Sequence, residues 1–124
     1  MTTRLAIPLF GERVAPRFGF AREVLVAEVE GGAVVATRTL SLDGSGWHER
    51  LARLRALDVE ILLCGGFNRH YRCVADDLGI EVQWGLGGEA AAVADAWCAG
   101  DLERFRVGCP GRGRHRGRGS CRGK

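Results

Sequence analysis

The chain contains no long hydrophobic run: its apolar stretches are no longer than about seven residues, far below the roughly 18 to 20 that a membrane-spanning helix needs. A transmembrane reading is excluded on that ground, and Met1-Thr2-Thr3-Arg4 opens no secretory leader, so the expected location is the cytoplasm. No Cys-x-x-Cys pair occurs among Cys64, Cys73, Cys98, Cys109 and Cys121, which removes the zinc-ribbon pattern. Five cysteines without a leader read as reduced thiols or metal ligands rather than a disulfide framework. Gly-x-Ser-x-Gly, His-Glu-x-x-His and a P-loop are all missing, and no carboxylate pair flanks an obvious pocket, so no enzyme is expected.

What remains is 124 residues, 46% hydrophobic and 27% charged, enough for one domain with a single core. The net charge of +3 is unevenly spread. Residues 108–124 carry Arg112, Arg114, Arg116, Arg118, Arg122 and Lys124 with no acid, which leaves 12 basic against 15 acidic residues, a net of −3, in residues 1–107. That arginine- and glycine-rich tail has only Cys109 and Cys121 as hydrophobic residues and cannot offset its ordering entropy by burial, so a domain over 1–107 followed by a disordered tail is expected.

Within the body, Leu5 to Leu9 reads as a first strand. Two β-branched runs, residues 23–29 and 33–40, meet across Glu30-Gly31-Gly32, where the glycines supply the positive φ of a tight hairpin. From Trp47 the period becomes helical through Leu51, Leu54 and Leu57, with Glu49 and Arg53 spaced for an i,i+4 ion pair. Residues 59–64 read as a buried strand. A helix follows, its apolar stripe Tyr71, Val74, Ala75 and Leu78, Asn68 its N-cap and Gly79 its stop. Residues 80–84 form a fifth strand, and residues 89–99 a third helix packed through Ala90, Val93, Ala94 and Trp97. The order βββαβαβα predicts an α/β fold with a five-stranded mixed sheet ordered 3-2-1-4-5.

In such a sheet a ligand sits beyond the carboxyl ends of the strands where connections diverge, here the first and fourth. The loop from Phe10 to Arg22, with Arg13, Arg17 and Arg22, would face Cys64-Gly65-Gly66 at a helix start. Guanidinium groups and bare glycine N–H groups together suit a compact anion; the alternative leaves these arginines in solvent or paired with Glu12 and Glu23. The expected cofactor-binding residues are Arg13, Arg17, Phe18, Gly19, Cys64, Gly65 and Gly66. Gly85-Leu86-Gly87-Gly88 lacks the full dinucleotide fingerprint and reads as a tight turn.

Candidate metal ligands are Cys64, the helical face of His70, Cys73 and Asp77, and the tail set Cys109, His115 and Cys121, because thiolate and imidazole suit soft transition metals and iron-sulfur clusters. The ordinary alternatives are a buried hydrophobic cysteine and a wet helix face.

Five segments in order carry a family resemblance: Arg4-Leu5-Ala6-Ile7-Pro8, Arg13-Val14-Ala15-Pro16-Arg17-Phe18-Gly19, Cys64-Gly65-Gly66, Leu78-Gly79-Ile80 and Ala99-Gly100-Asp101-Leu102. Together, over about residues 4–105, they resemble the dinitrogenase iron-molybdenum cofactor biosynthesis family, NifX-like and orange-protein-like. The resemblance implies a ribonuclease-H-like fold and a carrier that binds, stores or delivers an iron-sulfur or molybdenum-containing cluster, possessing as partners the proteins that donate or receive it. Many members carry histidine where this chain has Arg17. The rival expectation is a module that binds nucleic acid or an acidic protein through the basic tail.

Overall fold

The computed structural model describes residues 2–18, 21–42, 46–67 and 69–106. The chain forms β1 (Thr3–Phe10), β2 (Arg13–Val14), β3 (Glu23–Glu30), β4 (Ala33–Ser41), α1 (Trp47–Ala56), β5 (Ile61–Leu63), α2 (Arg72–Asp77), β6 (Glu81–Gln83) and α3 (Ala90–Ala99). One mixed sheet runs β4-β3-β1-β5-β6. The β3 and β4 strands pair antiparallel with their neighbours, while β5 is parallel to both β1 and β6.

The α/β class with a mixed sheet is as expected, but the sheet has six strands rather than five. The extra one is β2, which folds back on the end of β1 with Leu9 opposite Val14 and Phe10 opposite Arg13. Two residues have no periodicity to read, so this strand is created by tertiary pairing. The hairpin follows its local chemistry: Gly31 and Gly32 both take positive φ, 63° and 82°, in a two-residue turn that brings Ala33 opposite Glu30, a backbone conformation cheap only for glycine.

Strand alternation divides the core between the two faces of the sheet. Leu5, Ile7, Leu9, Ile61 and Leu63 pack toward Val93 and Ala94 of α3. Ala6, Val24, Val26, Leu62 and Cys64 pack with Leu51 and Leu54 of α1 and Ala75 of α2. The expected ion pair on α1 is replaced: the Glu49 carboxylate accepts the N–H of Gly46 at 3.1 Å, satisfying a donor that the helix start leaves open. The second helix is shorter than its apolar stripe suggests, because Arg69–Tyr71 forms a 3-10 turn before α2 begins. Among the described residues no helix is long and apolar enough to cross a membrane.

Candidate functional site

The segment after β1 builds the site. Gly11 turns with φ at 67°, β2 returns along β1, and the chain then crosses the carboxyl ends of β1 and β5. Ala15 donates its N–H to Pro8 at 2.8 Å, Gly66 donates to Pro16 at 2.6 Å, and Phe18 donates to Gly66 at 2.9 Å. Arg17 and Gly66 are bridged in parallel sense. The strap lies so close that a Cβ on Gly65 would stand 2.6 Å from the Ala15 oxygen and 2.9 Å from that of Pro16. These glycines therefore serve close backbone approach.

This geometry corrects the expected crevice. The gap between β1 and β5 is filled by backbone, and the Gly66 N–H is spent on Pro16 rather than offered to an anion. Phe18 is wholly buried, its ring centroid 5.5 Å from that of Phe67, so it anchors the strap in the core. Cys64 is likewise sealed at 0% exposure. Burial pushes its thiol well above the ordinary range, opposed in part by the positive charge of Arg106. A thiol held protonated beneath packed side chains is not a metal ligand in this conformation.

The other expected residues fall in different places. Arg13, on β2, is exposed, and its backbone pairs antiparallel with that of Glu89 just before α3. Cys73 is exposed on α2, and His70 belongs to the preceding 3-10 turn. Cys98 on α3 is partly buried, its thiol raised by desolvation and by the neighbouring Asp95. Among the described residues no three His, Cys, Asp or Glu side chains converge to hold a metal ion. Gly19, Asn68, Cys109, His115, Cys121 and the basic tail lie outside the described residues.

What the fold does provide is a hollow of about 740 Å³ on the β3 side of the strap, inside the roughly 300 to 1,000 Å³ range of small-ligand pockets. Leu9, Phe10, Ala15, Pro16 and Ala21 form its apolar walls; Arg17, Arg22, Glu23 and Ser41 supply polar groups. Phe10 stands 72% exposed. Arg17 and Arg22 are both exposed, and among the described residues Arg22 makes no ion pair. Its carbonyl accepts the Leu42 N–H at 2.8 Å, which ties the end of β4 to this wall.

Guanidinium forks beside an apolar wall suit an anion, which they can meet with directed hydrogen bonds. The donor set contains no thiolate or imidazole. A metal cluster would therefore be held here as a whole anion, through its sulfides, rather than by protein bonds to metal. Sequence reading missed Ser41, which reaches the hollow because β4 pairs with β3 in the register Glu23 to Ser41; only the hairpin length hinted at it.

A family model described as dinitrogenase iron-molybdenum cofactor matches residues 1–100. The fold is similar to the crystal structure of PH0822, with a TM-score of 0.75 at 24% identity over 79% of this chain and 90% of that one. It is also similar to MJ0327 of Methanocaldococcus jannaschii, described as a candidate dinitrogenase, with a TM-score of 0.65 at 16% identity over 89% and 99% of the two chains. A Thermotoga protein, TM1290, described as a candidate NifB protein, gives a TM-score of 0.64 at 23% identity over 80% and 90%. No match is found among the curated proteins. The chain belongs to the dinitrogenase iron-molybdenum cofactor family.

Proposed function

We propose that this protein carries a compact, sulfide-rich metal anion, an iron-sulfur or molybdenum-containing cluster, in the hollow beside β1, and delivers it to a protein that consumes it. Family membership ties the chain to the handling of the iron-molybdenum cofactor. The observation that carries the finer reading is the placement of Arg17 and Arg22 on one apolar-walled hollow. Thiometallate anions are small and diffusely charged. They accept hydrogen bonds at sulfur, and guanidinium groups beside apolar surface match that chemistry.

In this reading the protein is a cytoplasmic carrier without catalytic activity. Its partners are the donor and the recipient of the cluster, and its fold is the ribonuclease-H-like arrangement implied by the family resemblance. Glu23 and Ser41 also line the hollow, and a carboxylate there opposes the charge of a bound anion. Binding is thus expected to be reversible, as delivery requires.

Anaerobic titration with tetrathiomolybdate, and separately reconstitution with iron and sulfide, tests the proposal by absorbance and metal counting. Saturable uptake near one anion or cluster per chain, weakened by salt, is the expected result. A colourless, metal-free protein under all these conditions would overturn it.

A further inference from the structure

Arg50 is the one charged side chain among the described residues that is buried, at 6% exposure. It lies on α1 one turn before Leu54, on the face that packs against the sheet. A guanidinium in such a place is costly unless its donors are met. Its Nη1 donates to the Phe18 carbonyl at 3.1 Å and also to the Ala21 carbonyl. The guanidinium carbon stands 5.9 Å from the centre of the Phe18 ring. The Phe18 oxygen also accepts the Ala21 N–H at 3.2 Å, so Arg50 holds two residues that the backbone also ties together.

Arg17 directly precedes Phe18, and Arg22 directly follows Ala21. We propose that Arg50, which does not line the hollow, is its positioning residue: by holding the Phe18 and Ala21 carbonyls it fixes the separation of Arg17 and Arg22, so that both reach one anion. The inference rests on the carrier reading for its ligand, but its geometry is independent of any ligand. Lysine would not substitute fully, because an ammonium lacks the flat face presented to Phe18.

A double-mutant cycle with tetrathiomolybdate as the probe, on the full chain, measures whether Arg50 acts through Arg22. Arg50→Met is expected to weaken binding about tenfold in the wild-type background and less than about twofold when Arg22→Gln is already present. Equal weakening in both backgrounds, or none in the first, overturns the proposal.

Amide exchange supplies a readout without ligand. In Arg50→Met the Ala21 and Leu42 N–H groups should exchange about tenfold faster while Val26 and Ala27 in β3 keep their protection. Unchanged exchange at Ala21 and Leu42, or uniform loss across β3, overturns it. If the wild-type chain takes up no anion, the carrier reading falls and exchange alone decides the role of Arg50. Should Arg50→Met fail to fold, Arg50→Lys takes its place: intermediate affinity and exchange support the proposal, and wild-type values overturn it.

Discussion

Gly66 donates its N–H to the Pro16 carbonyl at 2.6 Å, and this single bond closes the place where an open α/β sheet would ordinarily admit a ligand. Phe18 returns a bond to the Gly66 oxygen at 2.9 Å. The hollow lies to one side of this seam, between the strap and the ends of β3 and β4.

Gly65→Ala should disturb this seam first. The new methyl would meet two backbone oxygens, those of Ala15 at 2.6 Å and Pro16 at 2.9 Å, and neither belongs to a side chain that can swing aside. Overpacking of this kind costs about 1 to 3 kcal/mol. A melting point lowered by roughly 4 to 8 °C per kcal/mol is expected for a domain of this size. Thermal melts followed by circular dichroism check it, and an unchanged melting point would show that the strap is not tightly seated.

Arg22→Gln tests the hollow without touching the core. Its side chain is exposed and makes no ion pair among the described residues, so stability should move by less than about 0.5 kcal/mol. Loss of one charge-assisted contact at an exposed site should weaken thiometallate binding by roughly 1 kcal/mol, about fivefold. Parallel melts and anaerobic titrations separate the two effects. Unaltered affinity would remove Arg22 from the site.

The hairpin, the three helices and the family were legible because each is written in local chemistry: Gly31-Gly32, the spacing of Leu51 and Leu54, and short segments in fixed order. The site was legible only as a region. Arg17 lines the hollow, whereas Arg13 does not, because β2 sets its backbone opposite that of Glu89. Cys64 was misjudged although alternation from Leu62 already aimed it at the α1 side. The end of a strand was read as exposed when the strap from residues 15–18 covers it. Such coverage depends on contacts between residues about fifty apart in sequence, which no local pattern encodes.

Cys64 should resist alkylation in the folded protein and contribute a pH dependence of known sign. Its folded thiol ionises above the ordinary value of 9.0, chiefly because burial disfavours the charged form. Below pH 9 both states hold the proton and the contribution to stability is complete. As pH rises past 9 the unfolded chain releases a proton that the folded chain keeps, so stability falls by about 1.4 kcal/mol per pH unit until the folded thiol also ionises. Urea melts between pH 8 and 10.5 should show this slope in the wild type and its loss in Cys64→Ala. Peptide mapping after iodoacetamide treatment should find exposed Cys73 modified long before Cys64, and comparable rates would contradict the burial.

Arg106 fastens the last described turn to the sheet, and its partners differ in worth. It donates to the Trp84 carbonyl, to Gln83 Oε1 at 3.1 Å and to Glu103 Oε2 at 3.0 Å. Its own side chain is 30% exposed, whereas that of Glu103 is 82% exposed. Solvent screens the ion pair, so Glu103→Gln should cost less than about 0.5 kcal/mol. Arg106→Ala leaves the half-buried Trp84 and Gln83 acceptors without their donor and should cost about 1 to 2 kcal/mol. It also frees the segment that accepts the Gly87 N–H through the Phe105 carbonyl at 2.8 Å, so Gly87 exchange should quicken in Arg106→Ala and not in Glu103→Gln. Equal losses of stability in the two variants would mean that the exposed ion pair, and not the bonds to β6 and the residue after it, holds this end of the domain.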